Sequence, residues 1–354
     1  MARFPKIDLQ EASRLTRAGR LDEAMTLLKR VLPGGAPDSA APDLRGAAKD
    51  LLRGLADKLG GLEGLAGPQG PAVFTPPNAR YEARVHESAA GSRTYKLYIP
   101  SGYRGQAVPL LVMLHGCSQS PDDFAVGARM NELAEEQTFL VAYPAQTRSA
   151  NMSKCWNWFN EADQKRGRGE PSLIAGIARD VIAAFRVDPA RVYVAGLSAG
   201  GAAAAVLGAA YPELFRAIGV HSGLACGAAR DMPSAFSAMK NGAAAPISGA
   251  RVPTIVFHGE DDKTVHPVNG DHVIAQSTAG AELRARSERG ISPGGMRYTR
   301  TIYTDRSGRP AHEHWRLHGA GHAWSGGSPR GSFTDPRGPD ASREMMRFFG
   351  ELSA

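Results

Sequence analysis

Ser198 lies between two glycines in the segment Gly196-Leu-Ser-Ala-Gly200, where a β-branched run passes into an alanine-rich one. A strand that turns this sharply into a helix holds its central residue in a strained conformation, so the flanking residues must have almost no side chain. Gly196 and Gly200 meet that requirement. The turn would lift the Ser198 hydroxyl out of the sheet beside a helix N-terminus, in the arrangement called a nucleophile elbow. Ser198 is therefore the candidate nucleophile.

A serine nucleophile needs a base for its proton and an acid that holds the base in the correct tautomer. When the serine follows a strand in this way, the expected order along the chain is Ser, Asp or Glu, then His. Asp262 follows the apolar run PTIVFHG, and His322 follows EHWRLHG. Asp262 is the predicted acid and His322 the predicted base, although Asp261 is adjacent and either aspartate could instead cap the next turn.

The developing negative charge on the substrate oxygen also needs donors, and these are commonly two backbone N–H groups. One would belong to Ala199, the residue after the nucleophile. The other would come from the loop HGCSQS after the run PLLVMLHG, where Cys117 is the natural donor. The backbone of Cys117, and not its thiol, would then take part in the chemistry.

Four further side chains are candidates for contact with a substrate. Trp324 lies two residues after His322. Gln119 belongs to the loop HGCSQS, residues 115–120, which is called the oxyanion loop below. Trp156 and Trp158, in the segment CWNWF, either line a groove or pack in the interior.

The other histidines favour structural interpretations. His115 and His258 each precede a glycine at a strand end, where a ring nitrogen can shape the loop by hydrogen bonding. His312 and His314 alternate along a strand, which would place both on one face as a metal pair requires, but the sequence offers no third ligand. No metal and no organic cofactor is expected.

The elements that must position these residues begin near residue 80, where apolar, β-rich runs alternate with helical patterns such as SLIAGIARDVIAAFR. Near-continuous apolar strands separated by helices predict an α/β fold, with a mostly parallel sheet covered on both faces. The strand runs are RTYKLYIP, PLLVMLHG, FLVAYPAQ, RVYVAGLS, AIGVHSG and PTIVFHG. A hairpin-like pair, MRYTRTIYTD and EHWRLHG, and an amphipathic helix near SREMMRFFGEL close the chain.

The first 78 residues differ from the rest of the chain in composition and in hydrophobic pattern. Helical spacing broken by one turn predicts a helical hairpin over residues 1–32, and a Pro/Gly/Ala-rich stretch predicts a linker over 33–78, before a catalytic domain at 79–354. Two short helices are marginal alone in water. Their apolar stripes are expected to dock on the same chain, to pair with a second subunit, or to lie on a hydrophobic surface.

Composition excludes several classes of protein. The 42% hydrophobic content excludes disorder throughout, and the scattered basic residues behind the net charge of +7 come without a nucleic-acid-binding motif. No stretch approaches the 18 unbroken apolar residues of a membrane span. Because the N-terminus lacks a recognisable signal peptide, a cytoplasmic location is expected.

The segments HGCSQS, CWNWF, RVYVAGLSAGG, HGEDD and GAGHAWSGG, in this order, resemble the polyhydroxybutyrate (PHB) depolymerase family of esterases, in the α/β-hydrolase superfamily. The resemblance extends over roughly residues 80–350. It implies the same nucleophile, acid, base and oxyanion donors that the residues themselves suggest. The family also includes feruloyl and acetylxylan esterases, and many of its members are secreted.

The expected activity is hydrolysis of hydroxyalkanoate polyester or oligomer bonds through an acyl-enzyme. A feruloyl or acetylxylan esterase is the nearest alternative, and a granule-associated interaction protein is an alternative of another class. A disulfide between Cys117 and Cys155 would tie the oxyanion loop to the CWNWF segment, and the sequence leaves open whether it forms. Three reduced thiols are the alternative that a cytoplasmic location favours.

Overall fold

The structure, a computed structural model, describes residues 71–243 and 252–352. Its centre is a ten-stranded sheet with the strand order β1-β2-β4-β3-β5-β6-β7-β10-β9-β8. The strands of this sheet are β1 (Arg80–Ser88), β2 (Gly91–Ile99), β3 (Val108–Leu114), β4 (Leu140–Pro144), β5 (Val187–Leu197), β6 (Ala217–His221), β7 (Thr254–Gly259), β8 (Arg284–Ile291), β9 (Arg297–Thr304) and β10 (Pro310–Leu317). Two short strands, β11 (Trp324–Ser325) and β12 (Thr334–Asp335), pair separately.

Six strands at the centre of the sheet, β4, β3, β5, β6, β7 and β10, run parallel to one another. The pairs at either side of this block, β1 with β2 and β8 with β9, are antiparallel. The carboxyl ends of the six parallel strands therefore lie along one edge, which is where the loops that carry chemistry are found in α/β folds.

Seven helices cover the two faces in the described part of the chain. They are α1 (Pro121–Ala128), α2 (Met130–Gln137), α3 (Gly169–Ala184), α4 (Ala199–Ala210), α5 (Met232–Asn241), α6 (Val268–Thr278) and α7 (Ala341–Glu351). Helices α3, α4, α5 and α6 contribute to one apolar cluster, and α1, α2 and α7 contribute to the other. The sheet separates the two clusters, as its side-chain alternation requires: in β5, Val192 and Val194 face the first cluster while Tyr193 and Ala195 face the second.

The six apolar runs, the closing hairpin and the C-terminal helix predicted from the sequence are confirmed as β2 to β7, β9 with β10, and α7. Strands β1 and β8 were not predicted. The compact unit that the structure describes begins at Pro71, while the boundary at 79 stays a prediction. Residues 72 and 73 already contact the rest of the described chain. The Arg330 side chain donates to the Ala72 carbonyl, and Val73 packs against the second apolar cluster.

The predicted helical hairpin over 1–32 lies outside the described residues, as does most of the predicted linker over 33–78. Among the helices that are described, none combines the length and apolar character needed to cross a bilayer. The described residues also contain no group of three side chains suited to holding a metal ion.

His312 and His314, the alternating pair of β10, are buried. Burial lowers the pKa of His312 from 6.5 to about 4, so its ring is neutral in the folded protein at neutral pH. The unfolded chain binds a proton at this position from about pH 6.5 downward, as an ordinary histidine does. The neutral His312 ring therefore contributes its full share to the free energy of unfolding above about pH 6.5. That contribution is lost as the pH falls towards about 4.

We expect the His312→Gln variant to lose less stability on acidification than the parent protein. The difference in the free energy of unfolding between pH 7.5 and 4.5 should shrink by up to about 1.4 kcal/mol for each pH unit between the two pKa values. Urea titrations at both pH values measure it. Equal acid sensitivity of variant and parent would show that folding does not lower the pKa of His312.

Candidate active site

Ser198 occupies the turn between β5 and α4 with a φ of 58° and a ψ of −119°. Its N–H donates to the His221 carbonyl at 2.8 Å, which fixes the turn to the end of the neighbouring strand β6. A Cβ added at Gly196 would lie 2.7 Å from the Leu114 carbonyl oxygen, and one at Gly200 would lie 2.7 Å from the His115 carbonyl oxygen. The two glycines are thus required by close backbone contact, and the predicted elbow is present.

Asp262 and His322 are joined by a hydrogen bond of 2.7 Å between Oδ2 of the aspartate and Nδ1 of the histidine. The other carboxylate oxygen, Oδ1, accepts from the backbone N–H groups of Thr264 and Val265, both at 2.9 Å. The aspartate is buried, while the histidine side chain remains 12% exposed. The carboxylate is therefore held from two sides, and Nε2 is the histidine nitrogen left for other partners.

The charge on Asp262 is stabilised by its surroundings. Burial acts to raise the pKa of this carboxyl, but hydrogen bonding to His258 and His322 outweighs burial and holds the pKa well below its usual range. Nε2 of His258 lies 3.5 Å from Oδ2 and hydrogen-bonds the Val265 carbonyl at 2.9 Å. The adjacent Asp261 is exposed, so Asp262 is the aspartate in position to act on the histidine.

The loops after β7 and β10 are bound to each other. The Asp261 N–H donates to the Ala320 carbonyl at 2.9 Å, and the Glu260 N–H donates to the Leu317 carbonyl at 2.9 Å. Ser198, Asp262 and His322 all follow carboxyl ends of parallel strands and so lie along one edge of the sheet. In the described residues the Ser198 hydroxyl makes no hydrogen bond. The link between nucleophile and base is commonly long in free enzymes and tightens when substrate binds.

The two predicted oxyanion donors follow the carboxyl ends of the adjacent parallel strands β3 and β5. Ala199 is the first residue of α4, and its N–H belongs to the turn that has no intrahelical acceptor. Neither this N–H nor that of Cys117 donates to an acceptor in the described part of the chain. Cys117 forms a disulfide with Cys155, one of the two alternatives that the sequence left open, and the next residue, Ser118, donates its N–H to the Ser153 carbonyl at 2.7 Å.

His115 shapes the oxyanion loop, as its position before a glycine suggested. Nδ1 of its ring hydrogen-bonds the Gly116 carbonyl at 2.8 Å, and Nε2 accepts from the Gln146 N–H at 3.1 Å. Burial lowers the pKa of His115 to about 4. A neutral ring is also what the two hydrogen bonds require, because Nε2 can accept only when it carries no proton.

The four side chains that the sequence offers for contact with a substrate are all buried, and for Trp156 and Trp158 this agrees with the alternative of packing in the interior. Trp324 is 1% exposed, stacks on His221 and donates its indole N–H to the Ser342 hydroxyl. Trp156 donates its indole N–H to the His115 carbonyl, and Trp158 packs in the core.

Gln119 supports the oxyanion loop from within. Its Oε1 accepts from the Gly116 N–H at 2.8 Å, and its Nε2 donates to Asp123 at 2.9 Å. These bonds occupy both ends of the amide, so the side chain holds the loop and is not free for a substrate.

His221, at the carboxyl end of β6, also belongs to the site, although the sequence does not single it out. Its carbonyl holds the elbow, its Nε2 accepts from the Ser325 N–H at 3.0 Å, and its ring stacks between Phe257 and Trp324. Burial lowers its pKa to about 3. The buried ring therefore connects the elbow with the segment that follows His322. The only signal in the sequence is its place at the carboxyl end of a buried strand.

Comparison with known proteins agrees with this geometry. The Poly(3-hydroxyalkanoate) depolymerase C of Paucimonas lemoignei is 31% identical over 239 residues, which are 64% of this chain and 57% of that protein. The Feruloyl esterase B of Neurospora crassa is 29% identical over 220 residues, which are 56% of this chain and 73% of that protein. The chain thus spans little more than half the length of the depolymerase.

Among solved structures, an acetyl xylan esterase from Aspergillus awamori has the same fold, with a TM-score of 0.61 and 21% identity over 77% of this chain and 99% of that one. The family model described as Esterase PHB depolymerase matches residues 93–283, which is more than half of the chain. The protein, an α/β-hydrolase with a serine elbow and an Asp–His pair at one edge of its sheet, therefore belongs to the PHB depolymerase family of esterases.

Proposed function

We propose that the protein is a serine carboxylic-ester hydrolase that cleaves hydroxyalkanoate esters, as oligomers or polyester, through an acyl-enzyme. The observation that carries the proposal is the 2.7 Å hydrogen bond between Asp262 and His322 at the sheet edge where Ser198 sits in a strained turn. A structural histidine would not need a buried, ionised aspartate on one nitrogen and an open second nitrogen. A base that must accept and return a proton needs both.

In the acylation half, Nε2 of His322 takes the proton from the Ser198 hydroxyl as Oγ attacks the ester carbonyl carbon. The carbonyl π electrons move to oxygen, and the N–H groups of Cys117 and Ala199 stabilise that charge. The ester C–O bond then breaks, and the alcohol leaves with the proton that His322 had taken. Asp262 remains ionised throughout and stabilises the imidazolium.

In the deacylation half, water replaces the alcohol. His322 takes a proton from the water, the resulting hydroxide adds to the acyl carbon, and the same two N–H groups receive the oxyanion. Collapse of this intermediate returns the proton to Oγ of Ser198 and releases the carboxylic acid. Every proton and electron pair is accounted for without a metal or an organic cofactor.

The proposal for hydroxyalkanoate esters draws on the similarity to the Paucimonas lemoignei depolymerase, while the similarity to Feruloyl esterase B supports an aromatic-ester substrate as the second candidate. Relatives with one catalytic set differ mainly in their loops, so the site alone does not separate the two. A granule-associated interaction protein, the candidate of another class, would depend on residues 1–32, which lie outside the described residues.

A panel of esters tests the proposal. The purified full chain is assayed on hydroxybutyrate oligomers, methyl ferulate, acetylated xylan oligosaccharides and a hydroxybutyrate polymer film. The proposal expects the highest kcat/KM on the oligomers. A preference for methyl ferulate or acetylxylan would favour the second candidate, and absence of hydrolysis on every substrate would contradict the enzyme assignment.

The Cys117–Cys155 bond bears on where the protein works. Disulfides persist in oxidising compartments and are rare in the cytoplasm. Against the expected cytoplasmic location, we include in the proposal that the active protein works in an oxidising compartment. Thiol labelling of the protein from fractionated cells tests this, because a fully labelled Cys117 would contradict it.

A further inference from the structure

Glu170 is a buried carboxylate that the proposed mechanism does not use. It lies in the first turn of α3 and is 7% exposed. Oε2 accepts from the Asn157 N–H at 2.7 Å, and Oε1 accepts from the Asn157 side-chain amide at 2.8 Å and from the Gln146 side-chain amide. Burial of a carboxylate costs free energy, which these donors offset.

The two partners of Glu170 both lead to the oxyanion loop. Gln146 follows β4, and its N–H donates to Nε2 of His115, the ring whose Nδ1 holds the Gly116 carbonyl. The same glutamine donates its side-chain amide to the Cys155 carbonyl at 2.9 Å. Gln146 therefore links Glu170 to His115 and Gly116, which precede Cys117. It also links Glu170 to Cys155, the disulfide partner of Cys117.

Asn157 provides the second connection. It lies two residues after Cys155, whose sulfur is bonded to Cys117, and the intervening Trp156 donates its indole N–H to the His115 carbonyl at 2.9 Å. The backbone from 155 to 157 is thus attached to Glu170 at one end and to the oxyanion loop at the other. A shift of Asn157 would be transmitted to Cys117 through a covalent bond.

Arg93 adds a positive charge to the network of Glu170, Gln146 and Asn157. Its guanidinium donates to Oε1 of Gln146 and lies over the ring of Trp156. The arginine thereby orients the glutamine amide, so that its nitrogen is directed towards Glu170 and Cys155. Burial raises the pKa of Glu170, and the amide donors and Arg93 act against that rise.

We propose that Glu170 is a positioning residue for the oxyanion hole: through Gln146 and Asn157 it fixes the direction of the Cys117 N–H. The inference rests on the proposed function, because it assigns the Cys117 N–H to the oxyanion. The N–H is useful only when it points at the developing charge. A displacement of about 1 Å in such a site can cost on the order of 100-fold in rate.

Glu135 offers a matched control, since it is a partly buried carboxylate with a similar set of hydrogen bonds. It accepts from the Tyr98 hydroxyl at 2.8 Å and from the N–H and hydroxyl of Ser101 at 2.7 Å each. Tyr98 pairs with Val141 near the amino end of β4, so this network lies at the opposite edge of the sheet from Ser198. Loss of the Glu135 network therefore tests the effect of a destabilised fold on activity, without a change in contacts of the oxyanion loop.

The test compares Glu170→Gln with Glu135→Gln in the full chain on a soluble p-nitrophenyl ester. Glutamine keeps the shape of the side chain but replaces one acceptor oxygen by an amide donor. We expect Glu170→Gln to lower kcat by about 10- to 100-fold with KM changed less than about threefold, as loss of transition-state stabilisation requires. We expect Glu135→Gln to leave both constants within about twofold of the parent, because its partners do not contact the loop.

Affinity for phenylboronic acid provides a readout that a merely structural role would not move. Its boron binds Oγ of Ser198, and the tetrahedral adduct directs an oxygen at the oxyanion donors. The inhibition constant should weaken in Glu170→Gln by about the same factor as kcat/KM falls. Unchanged kcat, or a loss of kcat with unchanged boronate affinity, would overturn the inference.

A second variant keeps the test decisive if Glu170→Gln does not fold. Asn157→Ala removes one donor and leaves the carboxylate and Gln146 in place, and it should lower kcat in the same direction by a smaller factor. An undiminished kcat would again overturn the inference. Failure of the proposed function is distinguishable, because the parent protein would then hydrolyse none of the esters.

Discussion

The Ser198→Ala variant should lose ester hydrolysis by a factor of about 10⁵ to 10⁶ in kcat, as removal of the nucleophile does in other serine hydrolases. The side chain is 8% exposed and loses only one oxygen, so little cavity is left and the fold should persist. Initial rates on a p-nitrophenyl ester measure the loss, and the circular-dichroism spectrum and melting temperature report on the fold.

Ser222→Ala is the matched control for this substitution. Ser222 also has a positive φ, of 50°, and lies just after the next strand of the sheet, β6. Both variants therefore remove a hydroxyl from a strained residue at a strand end. We expect the control to retain kcat within about 10-fold, because loss of one hydroxyl hydrogen bond in a packed site costs about 1 kcal/mol. Comparable losses in the two variants would mean that the strained turn, and not the Ser198 oxygen, is what activity requires.

The second large effect is expected at the acid. Asp262→Asn should lower kcat by roughly 10⁴-fold, because an amide in place of the carboxylate selects the wrong histidine tautomer and no longer stabilises the imidazolium. The carboxylate accepts from His322 and from two backbone N–H groups, so its role is set by geometry as well as charge. KM should change little, since substrate does not contact the buried carboxylate.

Asp261→Asn is the control for this prediction. Asp261 is exposed, and only its backbone N–H takes part in holding the loops together. Its side-chain substitution should therefore leave kcat nearly unchanged. Equal losses in the two variants, or a larger loss at 261, would show that the acid has been assigned to the wrong neighbour.

The sheet and the placement of Ser198, Asp262 and His322 could be predicted from the sequence because each leaves a local signal. The parallel strands are buried on both faces and read as continuous apolar runs, such as PLLVML. The elbow needs glycine on both sides of Ser198, and the acid and base follow strand ends in a fixed order. These features depend on neighbours along the chain, so a single sequence carries them.

The features that escaped prediction depend on contacts far apart in sequence. Strand β8, with the sequence RARSERGI, is mostly exposed and has no apolar alternation to reveal it. Trp324 lies two residues from His322, yet the backbone between them turns, and the indole points into the core. The role of Glu170 depends on partners 13 and 24 residues away that only the fold brings together.

The polar outer strands also affect how the protein behaves when crowded. An edge strand presents unpaired N–H and C=O groups to which another chain can add, and charged side chains discourage that addition. At one edge β8 carries Arg284, Arg286, Glu288 and Arg289, and at the other edge β1 carries Arg80 and Arg84 in ion pairs with Glu82. Where molecules gather densely, many such edges come to lie side by side. A second strand could add only by removing water from these charged side chains, so they keep neighbouring molecules from joining into aggregates through their sheets.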